Sequence, residues 1–192
     1  MMLIEKDPAE AFKFYRKASE MSEEISAADP ENIQHRSALA DSLVGQGDAL
    51  HHLGRNQEAL QYLNRTNELE ASIESVDPNR IWYLRRMSRS LMFTGDALLA
   101  LGDQKGALDS YRKGLAAAER VLQRAPASLP HNLDRADLLE AIGLYYMKTG
   151  SKKEASPWFE QSLTIWRDWT KRNVAASYAG RRVRRIQTLL DQ

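Results

Sequence analysis

Two stretches decide the fold: Gly47-Asp48-Ala49-Leu50-His51-His52-Leu53-Gly54 and Gly95-Asp96-Ala97-Leu98-Leu99-Ala100-Leu101-Gly102. They agree at six of eight positions and lie 48 residues apart. The same offset leads on to Gly143 and Gly150. It also relates Ala11, Ala59, Ala107 and Ala155, each followed four residues later by a large side chain: Tyr15, Leu63, Tyr111 and Phe159. Breaks recur at Asp29-Pro30, Asp77-Pro78 and Ala125-Pro126. Between residues 29–76 and 77–124, 13 of 48 positions are identical. A fixed offset held over this many positions marks a repeat array.

Each period reads as two helices. Leu43, Leu50 and Leu53, then Ala59, Leu60 and Leu63, fall at helical spacing. A glycine after Leu53, Leu101 and Thr149 suits a left-handed C-terminal cap. The prolines at 30, 78 and 126 end one helix and suit the first turn of the next. The four alanines let neighbouring helices approach closely. The pattern predicts helices over 8–28, 31–53, 56–76, 79–101, 104–124, 128–148, 152–172 and 177–190. It groups them as a half repeat (1–28), three hairpins (29–76, 77–124 and 125–172) and a C-terminal capping helix (173–192).

Composition agrees. Of 192 residues, 24 are Ala and 24 Leu, against 10 Gly and 6 Pro, which favours helix. A hydrophobic share of 43% with 28% charged residues describes a folded chain. With 27 basic and 26 acidic residues, the net charge of +1 gives no argument for a nucleic-acid or membrane-surface partner. There is no cysteine, which excludes disulfides, thiolate catalysis and cysteine-ligated metals. No apolar run approaches the roughly 18 residues of a membrane span, and the N-terminus lacks a signal peptide's apolar core. The balance conceals asymmetry: residues 41–77 carry a net −5, 80–125 a net +5 and 167–185 a net +6. Neighbouring hairpins of opposite sign attract, and the asymmetry can steer a partner.

Catalytic chemistry finds no foothold. Asp48 and His52 share a helix face and could touch one metal ion, but a zinc site needs at least three protein ligands. A surface or hydrogen-bonded histidine is the expected reading, with no metal and no cofactor. Asp137 and Glu140 read as a solvated carboxylate pair. Gly45-Gln46-Gly47-Asp48 lacks the setting and the following Lys of a phosphate loop. Trp82, Arg85 and Arg89 share a face. The arginines either receive an acidic peptide or pair with acids of adjacent repeats. Arg181, Arg182, Arg184 and Arg185 form a basic cluster, but Ala179, Val183, Ile186 and Leu190 make an apolar stripe. The expected arrangement is a cap with its arginines in water and no nucleic acid.

The repeat resembles the tetratricopeptide repeat (TPR) family. That family has a small residue at its eighth position, a large apolar one at the eleventh, Gly at the fifteenth, Ala at the twentieth and an aromatic at the twenty-fourth. These positions look like Gly47, Leu50, Gly54, Ala59 and Leu63, then Gly95, Leu98, Gly102, Ala107 and Tyr111, then Gly143, Tyr146, Gly150, Ala155 and Phe159. The fourth-position aromatic is replaced by Leu43, Leu91 and Leu139. The family's usual period is about 34 residues, so both helices are lengthened here. Long repeats with Asp-Pro breaks, and the ending Trp166-Arg167-Asp168-Trp169…Arg181-Arg182-Val183-Arg184-Arg185-Ile186, are similar to C-terminal TPR arrays of bacterial eukaryotic-type Ser/Thr kinases and related multidomain signalling proteins. No kinase motif is present.

The resemblance implies an all-α, right-handed superhelix of antiparallel hairpins, about eight helices in all, whose groove is lined by the first helix of each hairpin. Groove candidates are then Asp41, Val44, Asp48 and His52; Trp82, Arg85, Arg89, Met92, Asp96 and Leu99; and Asp137, Glu140, Leu144 and Met147. The family's clamp for acidic C-termini is not expected, because its positions hold Val44, Asp48, Met92, Asp96, Glu140 and Leu144. The implied function is a non-catalytic, cytoplasmic protein-interaction module, a scaffold or adaptor that binds a protein or peptide. The second reading is a regulatory sensor that binds a small ligand or peptide and controls an attached kinase-type domain. An enzyme is not expected. The array opens on the second helix of a repeat, which leaves Phe12, Phe14 and Tyr15 short of one packing neighbour. Either upstream helices belong to a longer protein, or residues 1–7 and a second copy, in a homodimer through this half repeat, cover the gap.

Overall fold

The computed structural model describes residues 4, 6–74, 81–173 and 176–191. They form eight helices, with no strand among the described residues: α1 (Pro8–Ala28), α2 (Ile33–His52), α3 (Asn56–Glu74), α4 (Ile81–Ala100), α5 (Gln104–Arg124), α6 (Leu129–Lys148), α7 (Lys152–Lys171) and α8 (Ala176–Leu190). The Asp77-Pro78 break, with the expected helix ends at 76 and 79, lies outside the described residues. The other ends fall within two residues of the sequence pattern. The fold is an all-α, TPR-like helical repeat.

Glycine fixes the tight turns. Gly102 has φ +89° and follows α4. Its N–H donates to Leu99 O at 3.3 Å, and the N–H of Asp103 reaches back to Leu98 O at 3.0 Å. This pair of bonds satisfies carbonyls that the helix end leaves open, and only a left-handed residue permits it. The same bonds and the same sign of φ recur around Gly54 and Gly150. The prolines act differently from expectation. Pro30 and Pro126 lie in the turns ahead of helices that begin at Ile33 and Leu129, not in their first turns. Asn32 caps α2 instead, its side chain accepting from Gln34 N at 3.0 Å.

The described residues divide into two compact units, one up to Gly114 and one from Leu115, with the boundary inside α5. In the first, α1 packs on α2, α2 on α3 and α3 on α4, and α2 also touches α4. In the second, α6 packs on α7 and α7 on α8. The alanines of the repeat all lie in the core. Ala11, Ala59 and Ala107 are fully buried, and Ala155 nearly so.

Glycine also sets how close two helices come. An added Cβ on Gly95 would lie 2.5 Å from the Tyr111 ring, and one on Gly143 would lie 2.5 Å from the Phe159 ring. The rings rest on bare backbone. Tyr15 sits the same way against Gly45. Phe12 meets Tyr62 edge-on at 6.2 Å, and Ile4 is buried beside Ala11 and Ala49. Phe12 and Tyr15 therefore have neighbours that the repeat register did not foresee, because α1 turns both onto its own unit. Phe14 is 63% exposed.

This packing predicts a reversal of sign. At an exposed helical position, Gly→Ala stabilises by about 1 kcal/mol. Gly143→Ala is expected to destabilise by about 1–3 kcal/mol, because the methyl group overpacks the Phe159 contact. A thermal melt with an unchanged or raised midpoint would contradict it.

Candidate functional site

Three of the candidates in the first unit, Asp48 and His52 on α2 and Asp96 on α4, act on one another. Asp48 is 2% exposed, and His52, one turn later, turns back to it. His52 Nδ1 lies 3.1 Å from Asp48 Oδ1 and 3.0 Å from the Asp48 carbonyl. The hydrogen bond to the Asp48 side chain, opposed by partial burial of the ring, lifts the His52 pKa to about 9. Asp96 is influenced by Asp48, His51 and His52. Burial pushes its carboxyl group above the usual carboxylate range, opposed by the hydrogen bond it accepts from Tyr111 OH at 2.7 Å. Burial, then the charge of Asp96, pushes the Tyr111 hydroxyl above its ordinary range. Among the described residues no three His, Cys, Asp or Glu side chains are placed to hold a metal ion.

The residue that sequence reasoning passed over is Arg86. It is 5% exposed, while Arg85 and Arg89, its neighbours on α4, are half-buried. Arg86 Nε donates to the buried carboxylate of Glu70 on α3. Its Nη1 donates to Ser37 Oγ at 2.5 Å and to Ser37 O at 3.2 Å, and lies 3.4 Å from Asp41 Oδ1. Its guanidinium carbon stands 5.1 Å from the Trp82 ring centroid. Asp41 and Trp82 are thus drawn into a structural charge cluster joining α2, α3 and α4, although Asp41 keeps 67% of its side chain exposed and Trp82 is 38% exposed. A signal existed. One period away, Arg86 aligns with Ala38 and Glu70 with Ala118, so opposite charges replace small apolar residues at two positions. Arg89 lies over Phe93 at 5.8 Å, and Met92 is half-buried against the core. Together Trp82, Arg85, Arg89 and Met92 give α4 a partly exposed face of two cations between apolar side chains.

In the second unit, Asp137 and Glu140 are not solvated. Glu140 is 2% exposed. Arg182 of α8 pairs with Asp137 and lies 3.1 Å from Glu140 Oε2, while Arg185 Nε lies 3.2 Å from Glu140 Oε1. Arg182 also covers the buried Trp166 ring at 5.4 Å. Burial raises the Asp137 pKa to about 6 despite the adjacent Arg182 cation. The apolar stripe of α8 is as read: Ala179 and Ile186 are fully buried, and Val183 and Leu190 pack beside them. Its arginines are not all in water. The apolar stripe lays α8 along α7, and this brings Arg182 over the acids of α6.

A sequence model described as Tetratricopeptide repeat matches residues 135–168. That stretch runs through most of α6 and α7 and contains the Gly143–Phe159 contact and the Gly150 turn. No curated protein matches the chain. No described helix is long and apolar enough to cross a membrane.

Two outcomes follow from this geometry. Arg86→Met leaves Glu70 buried without its cation and is expected to cost about 3–5 kcal/mol, whereas adding Glu70→Leu should recover most of the loss. Urea titrations of the single and double variants measure both. For His52, the folded pKa of about 9 lies above the ordinary 6.5. Its contribution is therefore complete below pH 6.5 and is lost as pH rises through 9. With 41% of the side chain in solvent, screening reduces the effect to about 1 kcal/mol. The stability gap between wild type and His52→Gln should be widest below pH 6.5 and close near pH 9. A pH-independent gap would contradict the assignment.

Proposed function

We propose that this protein is a non-catalytic interaction module whose α4 face binds a protein or peptide segment carrying acidic and apolar side chains. The observation that carries the reading is the tetratricopeptide repeat similarity of residues 135–168, since repeats of this kind serve as contact surfaces. The recurrence of the glycine turn at Gly54, Gly102 and Gly150 supports extending the same unit into three long hairpins of 48 residues.

Trp82, Arg85, Arg89 and Met92 supply what an interface centre needs. Aromatic, arginine and methionine side chains are enriched there, and a planar guanidinium grips a carboxylate through two parallel hydrogen bonds. Arg86 anchors the face from beneath, being committed to Glu70 and Ser37. His52 and Asp41, both exposed, stand on α2, the helix that touches α4. They give the surface both signs of charge.

Affinity capture from the source cell, with bound proteins identified by mass spectrometry, tests the face. Arg85→Glu/Arg89→Glu should reduce recovery of the bound protein about tenfold or more, the scale of a central arginine in an interface. Lys153→Glu, an exposed charge reversal on α7, should leave it unchanged. Equal recovery by all three proteins, with matching circular dichroism, would reject α4 as the binding face.

A further inference from the structure

Beside its buried face α1 carries an apolar seam that is largely exposed. α1 turns Ala11, Phe12, Tyr15 and Ser19 inward; Ala11 meets Ala49, and Ser19 accepts from Gln46 Nε2 at 2.8 Å. About a third of a turn round the helix run Phe14, Ala18, Met21, Ile25 and Ala28, at spacings of four, three, four and three. This is the a/d rhythm of a two-stranded coiled coil. Phe14 is 63% exposed, Met21 57% and Ile25 49%. These are the three most exposed large apolar side chains among the described residues. Scattered single apolar residues on a surface mean little, but three in one stripe mark a contact.

The flank of the seam identifies the occupant. Lys13 and Lys17 lie at its N-terminal half, Glu20 and Glu24 at its C-terminal half, all exposed and on the same side. Two copies of α1 laid antiparallel about a two-fold axis bring the lysines of one opposite the glutamates of the other, at both ends. The same register sets Phe14 against Ile25 and Ala18 against Met21. A parallel pairing would put like charges together. We infer that α1 is a homodimerisation helix, pairing antiparallel with α1 of a second copy through Phe14, Ala18, Met21, Ile25 and Ala28. A two-fold contact of this kind closes at two copies.

Charge reversal of the full chain tests the inference by sedimentation velocity over a concentration series. Wild type should pass from the 21.8 kDa chain to twice that mass as concentration rises. Lys13→Glu/Lys17→Glu makes the flank wholly acidic and Glu20→Lys/Glu24→Lys makes it wholly basic. Each should raise the dimer dissociation constant at least tenfold, and an equimolar mixture should dimerise again as a heterodimer. Met21→Glu, at the seam's centre, should abolish dimerisation without altering the circular dichroism. A wild type that stays monomeric throughout overturns the inference. So does a dimer that survives the reversals, which would use another surface, or a mixture that fails to recover.

Discussion

A side chain lying directly on a glycine backbone is the constraint from which the other contacts take their positions. Where Tyr111 crosses Gly95 and Phe159 crosses Gly143, two helices stand closer than any Cβ would allow. The polar chemistry next to each glycine follows from that closeness. Tyr111, drawn over Gly95, delivers its hydroxyl to the next residue, Asp96. At the corresponding place in the second unit the ring is Phe159 and the residue after the glycine is Leu144; hydroxyl and carboxylate are both gone. In the first hairpin the ring gives way to Leu63, and Asp48 takes its hydrogen from His52 instead. A buried carboxylate is kept only where a donor reaches it.

Two arginines obey the same requirement on a larger scale. Arg86 and Arg182 are each held by two acids and by a tryptophan face, Trp82 and Trp166 respectively. A guanidinium suits such a site because its planar fork meets carboxylates edge-on while its face stacks on a ring. Lysine could satisfy one of these demands but not both. Charge in this protein is therefore partly internal, and its near-zero total says little about what the surface offers a partner.

The helices were legible because they depend on local signals. Period, glycine and alanine positions placed the ends that fall on described residues to within two residues, and the apolar stripe of α8 located its buried side. What escaped the sequence depends on pairing between elements. Arg85, Arg86 and Arg89 differ only in angle around α4, and the buried one is chosen by Glu70, sixteen residues earlier on another helix. Asp137 and Glu140 looked solvated because their cations lie more than forty residues away on α8. The seam on α1 was hidden for a different reason. Its residues overlap a helix whose buried face already accounts for an apolar pattern, and only knowing which side faces inward separates the two.

The attachment of α8 also restricts how such a chain can lengthen. Its apolar stripe could lie on many helices, but Arg182 and Arg185 require acids in the register of Asp137 and Glu140. A hairpin lacking those acids, inserted just ahead of α8, would separate these charges, leaving two carboxylates with no cation and two arginines with no acid. Growth at that point needs a matched basic residue in the incoming helix. The seating of α8 is thus divided between α6 and α8, and neither helix can be exchanged without the other.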